Sequence, residues 1–459
     1  MDADEERPAP RILIENSEYW LSNVGDLAMM DVVIGRLRGR WPDARIGVLT
    51  NTPHLLRAYF PEAQPIEPRG RRTWSEADVA TSLLAQAGPR RVGPVSIGWV
   101  TTKAWLPQKW KGLRRKARRL MAMIRPRAHT ERAERTKGTS TADRTRPNTV
   151  AAARTSSLVL ALGGGYLTDA DPAQSHRVLD LMELGQDLGL PTAMVGQGLG
   201  PVEDPELVSR LAAVLPGVDF IGLREGRRGP HLLARAGVPA HRFDVTGDDA
   251  IEMSFAQRRD ELGTDIGVCL RVADYSPVAT KVRRVLPPLL HAAARDCDAG
   301  LLPIYIAEYR SQDRRSTLPL LRGFEASRPP LHRFAHPREV AAQISDCRLV
   351  VTGAYHAAVF ALAQGIPVVA LSTSQYYDDK FLGLADMFDD GLQLLRLTDA
   401  DLAVRLPHAI SSAWEAAPEV RSTLRARAQE QIAASRSGLD RVLDLVDAQP
   451  PVRSRRTAR

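Results

Sequence analysis

The 459-residue chain is poor in cysteine, in aromatic residues and in long apolar stretches. Its three cysteines, Cys269, Cys297 and Cys347, cannot form a disulfide framework, and no CxxC pair or Cys/His cluster indicates a zinc site. No stretch approaches the roughly 18–20 apolar residues that a membrane-spanning helix needs. The first ten residues are acidic and contain proline, unlike a signal peptide. These absences predict a soluble cytoplasmic protein.

The chain also lacks the usual sequence patterns of nucleotide binding and of metal coordination. It contains no GxGxxG followed by an acidic residue on the next strand, and no GxxxxGK[ST]. No pair of carboxylates has a clear metal-ligand spacing. We therefore expect neither a nicotinamide cofactor nor a bound metal.

The positive charge is concentrated in one segment. Residues 101–150 contain fifteen lysines and arginines against three acids, whereas the formal net charge of the whole chain is +8. The rest of the chain is therefore net negative. Because a nucleic-acid-binding protein usually spreads its basic surface over a folded domain, this distribution argues against nucleic acid as a partner.

Within this segment, residues 105–124 have the pattern of a basic amphipathic helix. Apolar residues recur at alternating steps of four and three from Leu106 to Ile124, and lysines and arginines occupy the other face. With Trp105 and Trp110 at its start, such a helix suits the headgroup layer of an anionic membrane, here the inner face of the cell membrane. A solvated helix that packs its apolar stripe on the protein's own core has the same pattern. The sequence leaves both interpretations open.

Outside this segment, short apolar runs alternate with helical patterns, which predicts an α/β fold built from parallel βα units. One series occupies residues 9–255 and a second occupies residues 263–399, separated by the polar, unpatterned SFAQRRDELG. A helical segment follows over 400–446, and a basic tail occupies 447–459. We expect two Rossmann-like domains that face a cleft, with the basic insertion at 101–150 belonging to the first domain.

Glycine-rich strand ends mark candidate binding loops in the first domain, because ligands gather at the carboxyl ends of the strands in such sheets. The turn SNVGD opens a helix whose N-terminus favours an anion or a hydroxyl-rich ligand, although a plain turn with Ser22 or Asn23 as N-cap also explains it. Three consecutive glycines in LGGGYLTDA normally let another group approach the backbone closely. GQGLGP ends the next strand in the same way.

The second domain contains the most informative segment, residues 347–388. A strand ends there at Gly353, and His356 follows in the first turn of a helix, near the floor of the expected cleft. Such a histidine can transfer protons near neutral pH or donate to an anion, although a lone histidine at a helix start is more often structural. Arg271 ends the strand that opens this domain, and Lys380 follows in a predicted loop. Together they predict a clamp for phosphate or carboxylate.

The order of these segments resembles the polysaccharide pyruvyl transferase family. The resemblance rests on NVGD, LGGGYL, GQGLGP, LRE, TGDDA, the strand that ends in Arg271, and GAYHAAVFALAQGIPVVAL followed by DKFLGL. It covers most of the chain outside residues 65–150 and the tail. It implies a GT-B-like pair of Rossmann domains and transfer of a pyruvyl unit from phosphoenolpyruvate, as co-substrate, to a sugar of a cell-surface glycan. The product is a ketal, the acceptor is a glycan or lipid-linked saccharide, and no cofactor is implied.

The resemblance also implies roles for the candidate residues. His356 supplies or shuttles the proton, while Arg271 and Lys380 hold the phosphate and the carboxylate. The predicted donor side comprises Arg271, Lys380, Gly353, Tyr355 and His336, and the predicted acceptor side comprises Asn23, Gly25, Asp26, Gly163, Gly164, Gly165, Gln197 and Arg224.

One position departs from the family pattern, which is commonly Arg-x-His around the histidine. This chain has Ala354 two residues before His356, and alanine cannot replace a guanidinium that binds the donor anion. Either another cation substitutes, with Lys380, Arg310 and His336 as candidates, or the donor differs. The alternatives are a glycosyltransferase of the same two-domain shape that uses a nucleotide sugar, and a family member that binds a glycan without turnover.

Overall fold

The computed structural model describes residues 9–16, 18–70, 73–74, 85–102, 146–273, 277–308 and 312–449. The predicted basic helix over 105–124, nearly all of the predicted tail and the candidate cation Arg310 lie outside these residues. The two interpretations of the basic helix therefore both stay open.

The N-terminal lobe is built on a parallel sheet that follows the alternation in the sequence. Its strands are β1 Arg11–Glu15, β2 Arg45–Leu49, β3 Ala63–Ile66, β4 Leu158–Ala161, β5 Gly164–Leu167, β6 Thr192–Leu199, β7 Phe220–Leu223 and β8 Phe243–Val245. The order is β3-β2-β1-β4-β6-β7-β8, and β5 pairs with β6 outside this path. Every residue of β4 and β6 is buried, as expected for a parallel sheet covered on both faces.

The helices of this lobe begin where the sequence supplies start signals. They are α1 Val24–Arg40, α2 Pro53–Tyr59, α3 Pro147–Ala153, α4 Pro172–Asp187, α5 Pro205–Val214, α6 Gly229–Arg235 and α7 Ala250–Phe255, and residues 89–102 are also helical. Proline occupies the first turn of α2 through α6. The side chains of Asn23, Asp171 and Asp204 cap α1, α4 and α5 by accepting backbone N–H groups.

The C-terminal lobe repeats this architecture with a smaller sheet. Its strands are β9 Asp265–Cys269, β10 Gly300–Pro303, β11 Cys347–Thr352, β12 Val368–Ser372 and β13 Leu392–Arg396, in the order β10-β9-β11-β12-β13, all parallel. Its helices are α8 Thr280–Asp296, α9 Gln312–Leu321, α10 Pro337–Ile344, α11 Tyr355–Ala363, α12 Gln375–Phe388 and α13 Leu402–Asp447. The predicted fold class, two Rossmann-like domains of parallel βα units, is confirmed.

The last helix connects the two lobes. α13 is 46 residues long. Leu406 and Ile410, near its start, belong to a core cluster of the C-terminal lobe, whereas Leu439 and Val442, near its end, pack in the core of the N-terminal lobe. The segment predicted over 400–446 is thus one long helix that packs against both lobes. Neither this helix nor any other helix in the described part of the chain is apolar enough to cross a bilayer.

An apolar core also runs continuously across the contact between the lobes. Val24 and Met29 of α1 and Ile251 of α7 lie in one buried cluster with the residues of α11. The hydroxyl of Ser254 donates to the carbonyl of Phe360 across the same contact, at 2.9 Å. Because a large apolar interface opposes relative domain motion, this contact holds the lobes, and the cleft between them, in a fixed arrangement.

The structure corrects the prediction that Lys380 lies in a loop. Lys380 lies in the middle of α12. Tyr377, Phe381, Leu384 and Phe388 recur there at helical spacing and are all buried against the C-terminal lobe. The lysine therefore enters the cleft from a packed helix, which fixes its position more firmly than a loop would.

Candidate functional site

A cleft of about 450 Å³ lies between the lobes, beside the carboxyl ends of both sheets. This is the place where doubly wound sheets bind their ligands. Its charged and aromatic lining residues are Glu18, Asp26, Asp171, Tyr166, Arg224, Arg271, Tyr355, His356, Tyr376, Tyr377 and Lys380. The cleft thus combines a group of cations with carboxylates and ring faces.

Arg271 follows β9 and is held in place by a carboxylate beneath it. Its Nε lies 3.0 Å from Oδ1 of Asp313, and one of its terminal nitrogens lies 3.2 Å from Oδ2. The same Oδ2 accepts the backbone N–H groups of Ile306 and Ala307, at 2.9 and 2.6 Å. Asp313 is fully buried, so this network presents the Arg271 guanidinium to the cleft in one orientation.

Lys380 enters the cleft beside Tyr376. Its ammonium donates to the hydroxyl of Tyr376 and lies 3.9 Å from the centre of that ring, and the Tyr376 hydroxyl donates to the carbonyl of Gly165 at 2.8 Å. A Cβ atom at Gly165 would lie 2.6 Å from Nζ of Lys380. Burial, reinforced by the nearby charge of Arg224, lowers the pKa of Lys380 well below its usual value.

Arg224 follows β7 and brings a third cation from the N-terminal lobe. Its guanidinium lies 4.3 Å from the centre of the Tyr355 ring and 3.8 Å from Oδ2 of Asp248. Its neighbour Glu225 turns away and accepts the backbone N–H of Arg227, at 2.6 Å. Arg224 therefore does not pair with Glu225, and its side chain lines the cleft.

His356 lies in the first turn of α11, against the start of α1 in the other lobe. A Cβ atom at Gly25 would fall 2.0 Å from Cγ and Nδ1 of the imidazole. Glycine is therefore required at position 25 to make room for His356. The Nε2 atom of His356 lies 3.7 Å from Oδ2 of Asp248, which is also buried.

The electrostatic setting of this histidine is strongly cationic. Burial lowers the pKa of His356 well below its usual value, and the positive charges of Arg224, Lys380 and Arg271 lower it further. Burial raises the pKa of Asp248 to about 6, against the opposing effect of Arg224. At neutral pH the imidazole is therefore neutral, and an anionic ligand would offset the charge of the neighbouring arginines and favour the protonated forms of both His356 and Lys380.

Several residues that were predicted from separate segments meet in this one cleft. They are Asn23, Asp26, Gly165, Arg224, Arg271, Tyr355, His356 and Lys380. Arg224 was predicted on the acceptor side, but it stands among the residues of the predicted donor side. Asn23 also serves as the N-cap of α1, since its Oδ1 accepts the N–H of Gly25 at 3.0 Å.

Other predicted site residues support the cleft from behind or lie away from it. Gln197 is fully buried, and its amide donates to the carbonyls of Ala161, Leu162 and Val195, so it fastens β6 to β4. Gly163 packs on the backbone of Gly196.

Two further glycines are structural. Gly164 pairs with Gln197 within the sheet. Gly353 packs behind Arg271, where a Cβ atom would lie 3.2 Å from the Arg271 backbone nitrogen.

His336 is not brought to the cleft. It caps α10: its Nδ1 accepts the N–H of Arg338 at 3.3 Å, and the Glu339 side chain returns to the His336 backbone N–H at 2.7 Å. Its ring packs near Tyr59 and Phe60. The sequence His-Pro-Arg-Glu supplies the glutamate of a capping box but not its usual serine or threonine, so the sequence signal for this cap is incomplete. His336 does not line the cleft.

Two residues show why the sequence analysis missed part of the site. Asp313 orients Arg271, and Glu18 lines the cleft, where its carboxylate accepts the Ser22 hydroxyl at 2.6 Å. Neither belongs to a motif, because each acts through a contact between distant segments. In the described part of the chain, no group of three or more His, Cys, Asp or Glu residues is arranged to hold a metal ion.

Comparison with solved structures finds the same architecture in sugar-nucleotide enzymes. A protein described as a UDP-N-acetylglucosamine 2-epimerase from Listeria monocytogenes is 10% identical, with a TM-score of 0.56 and coverage of 96% of this chain and 98% of that one. A glycosyltransferase from Rickettsia africae is 10% identical, with a TM-score of 0.51 and coverage of 96% and 100%. A UDP-GlcNAc 2-epimerase from Neisseria meningitidis, bound to UDP-GlcNAc, is 10% identical, with a TM-score of 0.50 and coverage of 95% and 100%. At these identities the similarity shows the fold.

Comparison at the level of sequence identifies the family. No curated protein matches the chain. The sequence model of the family described as polysaccharide pyruvyl transferase, however, matches residues 23–375. This span runs from the cap of α1 to the start of α12 and includes Arg224, Arg271 and His356. The chain therefore belongs to the polysaccharide pyruvyl transferase family.

Proposed function

We propose that the protein transfers the pyruvyl unit of phosphoenolpyruvate to a sugar of a cell-surface glycan, where it forms a cyclic ketal. The observation that carries this proposal is the convergence of Arg224, Arg271 and Lys380 on one cleft beside His356. Phosphoenolpyruvate carries a phosphate and a carboxylate on a three-carbon unit, and binding two anionic groups so close together requires several cations.

Arg224 and Lys380 compensate for the arginine that the family pattern places at position 354. Ala354 is fully buried at the N-cap position of α11, and its N–H donates to Oγ1 of Thr352 at 2.9 Å. The Arg224 guanidinium covers the ring of the next residue, Tyr355, so it delivers positive charge to the same neighbourhood from the other lobe. In this proposal Arg224, after β7, and Lys380, on α12, supply the positive charge that an arginine at the start of α11 would have supplied.

Donor binding and proton uptake are coupled in this proposal. The anionic groups of phosphoenolpyruvate offset the positive potential of the three cations, which raises the pKa of His356 and allows the imidazole to take up a proton. His356 then gives this proton to the methylene carbon of the donor, leaving positive charge at the adjacent carbon. A hydroxyl oxygen of the sugar bonds to that carbon, and the hydroxyl proton returns to the imidazole.

Ring closure completes the reaction. A second sugar hydroxyl attacks the same carbon as its bond to the phosphate oxygen breaks, and phosphate leaves with the pair of electrons. The released proton accompanies phosphate to solvent. Arg271 and Lys380 stabilise the charge of the leaving phosphate, which makes them more important in the transition state than in the ground state.

The acceptor binds on the N-terminal side of the cleft. Glu18, Asp26 and Asp171 supply carboxylates there, and Thr168 and Gln174 supply further polar groups. These groups suit the hydroxyls of a sugar, and the rings of Tyr376 and Tyr377 provide apolar faces at the same opening.

A ligand panel tests the donor. We expect phosphoenolpyruvate to raise the melting temperature of the native protein. At a hundred times its Kd, the donor should increase the free energy of unfolding by about 2.7 kcal/mol. UDP and UDP-sugars should leave it unchanged. The His356→Gln variant should still bind phosphoenolpyruvate but form no ketal. Stabilisation by UDP alone would replace the proposal with a nucleotide-sugar glycosyltransferase, and binding without turnover in the wild type would indicate a non-catalytic member.

We also propose that this cytoplasmic enzyme works at the inner membrane surface, where a lipid-linked acceptor would lie. The residues before the basic segment support this: Val95 and Trp99 are 72% and 65% exposed, four residues apart on the helical stretch 89–102, with Arg91 exposed on the same face. Sedimentation with vesicles should show strong binding to anionic lipid and weak binding to neutral lipid, and Trp99→Ser should weaken the former. Equal binding to both lipids would contradict an electrostatic anchor.

A further inference from the structure

Two buried polar atoms face each other beside the cleft without a hydrogen-bond partner among the described residues. They are Nε2 of His356 and Oδ2 of Asp248, 3.7 Å apart. Leaving two such atoms unpaired in a protein interior is costly. An approach of less than about 1 Å would bring them within hydrogen-bond distance, so the arrangement points to a pair that forms when the imidazole carries its proton on Nε2.

We propose that Asp248 is the positioning residue of His356: its Oδ2 accepts the Nε2 proton, which fixes the ring plane and the tautomer and leaves Nδ1 as the atom that takes up and returns the reacting proton. The chemical consequence rests on the proposed function. The tautomer itself does not, because it is a property of the protein without substrate.

Both partners are held rigidly, and they come from different lobes. Asp248 lies between β8 and α7 of the N-terminal lobe, and its other oxygen, Oδ1, accepts the N–H of Ala250 at 3.0 Å. His356 belongs to α11 of the C-terminal lobe and is confined between Gly25 and the ring of Phe360, whose centre lies 6.5 Å away. Because an apolar core joins the lobes, the two side chains already lie close together, and a small shift of either is enough to form the pair.

The charges around the pair explain why a carboxylate is useful there. Arg224 after β7, Arg271 after β9 and Lys380 on α12 all oppose a positive charge on His356. The carboxylate of Asp248, 3.7 Å from Nε2, is placed where its negative charge can oppose them once the pair has formed.

Neighbouring charges act on Asp248 in turn. Burial raises the pKa of Asp248 most; among the charged neighbours Arg224 lowers it, and the adjacent Asp249 and then Asp26 on α1 raise it. Once a donor anion occupies the three cations, the ionised carboxylate stabilises the imidazolium at Nε2.

The kinetic test compares two matched amide substitutions. In Asp248→Asn the amide NH₂ donates to Nε2, which forces the proton onto Nδ1, so we expect the turnover of ketal formation to fall on the order of 10²- to 10⁴-fold. KM for phosphoenolpyruvate should change little, and the pH profile should shift.

The matched control makes the same change one residue further on. Asp249→Asn alters a buried carboxylate that binds Ser435 and Arg36, so turnover should stay near the wild-type level even if the melting temperature falls. Because Asp249 raises the pKa of Asp248, any shift of the pH profile in this control measures that effect alone. An Asp248→Asn variant with the turnover and pH profile of Asp249→Asn would overturn the proposal.

A second measurement requires no turnover. Nitrogen-15 NMR of the histidine side chains, with the His356 signals assigned from their loss in His356→Gln, reports which ring nitrogen carries the proton. We expect the Nε2–H tautomer in the wild type and in Asp249→Asn, and the Nδ1–H tautomer in Asp248→Asn.

If Asp248→Asn does not fold, Asp248→Glu replaces it, and this variant should keep the Nε2–H tautomer. An Nδ1–H wild type, or unchanged signals in Asp248→Asn, would contradict the pairing. An Nε2–H wild type that forms no ketal would instead contradict the proposed function and leave the pairing intact.

Discussion

The two lobes contribute to the cleft in opposite ways. The C-terminal lobe supplies the large side chains of His356, Lys380 and Arg271, whereas the N-terminal lobe supplies Arg224 and the glycines that make room for two of them. Gly25 accommodates the imidazole, and Gly165 accommodates the ammonium of Lys380. The glycines were predicted to admit a ligand to the backbone. In the structure, Gly25 and Gly165 make room for side chains of the other lobe, so the candidate site is assembled across the contact between the lobes.

Filling the space at Gly25 should have the largest effect. In Gly25→Ala the new Cβ would fall 2.0 Å from Cγ of His356, which cannot move aside because it is the rigid base of the ring. Since misplacement of a reacting group by about 1 Å can cost 10²-fold in rate, we expect ketal formation to fall at least that much. Steady-state kinetics with phosphoenolpyruvate checks this.

The same helix supplies the control for this substitution. At Gly35 and Gly39 of α1 a Cβ atom meets nothing within 4 Å. Gly35→Ala should therefore keep full activity and gain a little stability from the higher helix propensity of alanine. Equal activity in Gly25→Ala and Gly35→Ala would show that the imidazole does not depend on the space at residue 25.

The corresponding change at Gly165 should be milder. A Cβ atom there would lie 2.6 Å from Nζ of Lys380 and 3.0 Å from a terminal nitrogen of Arg224, but both are the far ends of flexible side chains and can move aside. We expect the affinity for phosphoenolpyruvate to fall about tenfold, which is about 1.4 kcal/mol. Turnover should fall less than in Gly25→Ala. Calorimetric titration measures the affinity, and a loss of turnover with unchanged affinity would contradict a donor-binding role for the cations.

The smallest expected effect is on the number of protons that the protein takes up when the donor binds. Because the pKa of His356 lies well below its usual value in the free protein and rises when an anion offsets the three cations, donor binding should take up protons. The contribution of His356 to the affinity for phosphoenolpyruvate should therefore decrease as the pH rises from the pKa of His356 in the free protein to its pKa in the donor complex. Titration in buffers of different ionisation enthalpy gives the number of protons.

The His356→Gln variant separates the proton uptake of His356 from that of other groups. His356→Gln should take up fewer protons than the wild type under the same conditions, while the contribution of the phosphate group cancels in the difference. Identical proton uptake in the two proteins would mean that His356 does not become charged when the donor binds.

Most of the fold was readable from the sequence, because local signals agree with it. The start of α11 after Gly353, its buried face and its end before Pro367 all follow from the spacing of glycine, proline and apolar residues. The misplacement of Lys380 had a different cause. The spacing of Tyr377, Phe381 and Phe388 is helical, but the segment that follows Leu371 was predicted as a loop.

The candidate site was less predictable, because its contacts join distant segments. The convergence of Arg271, His356 and Lys380 followed from the rule that strands of a doubly wound sheet end at one edge. By contrast, the direction of the Gln197 side chain depends on its neighbour β4, and the function of Asp313 depends on a backbone turn near Ala307. Such contacts leave no local pattern in the sequence.

A crystal structure of the wild-type protein soaked with phosphoenolpyruvate would test the central claim most directly. The account predicts that the phosphate and carboxylate lie within hydrogen-bond distance of at least two of Arg224, Arg271 and Lys380, with the methylene carbon next to the imidazole of His356. Phosphoenolpyruvate bound outside this cleft, or bound in it with the His356 ring turned away from the donor, would contradict it.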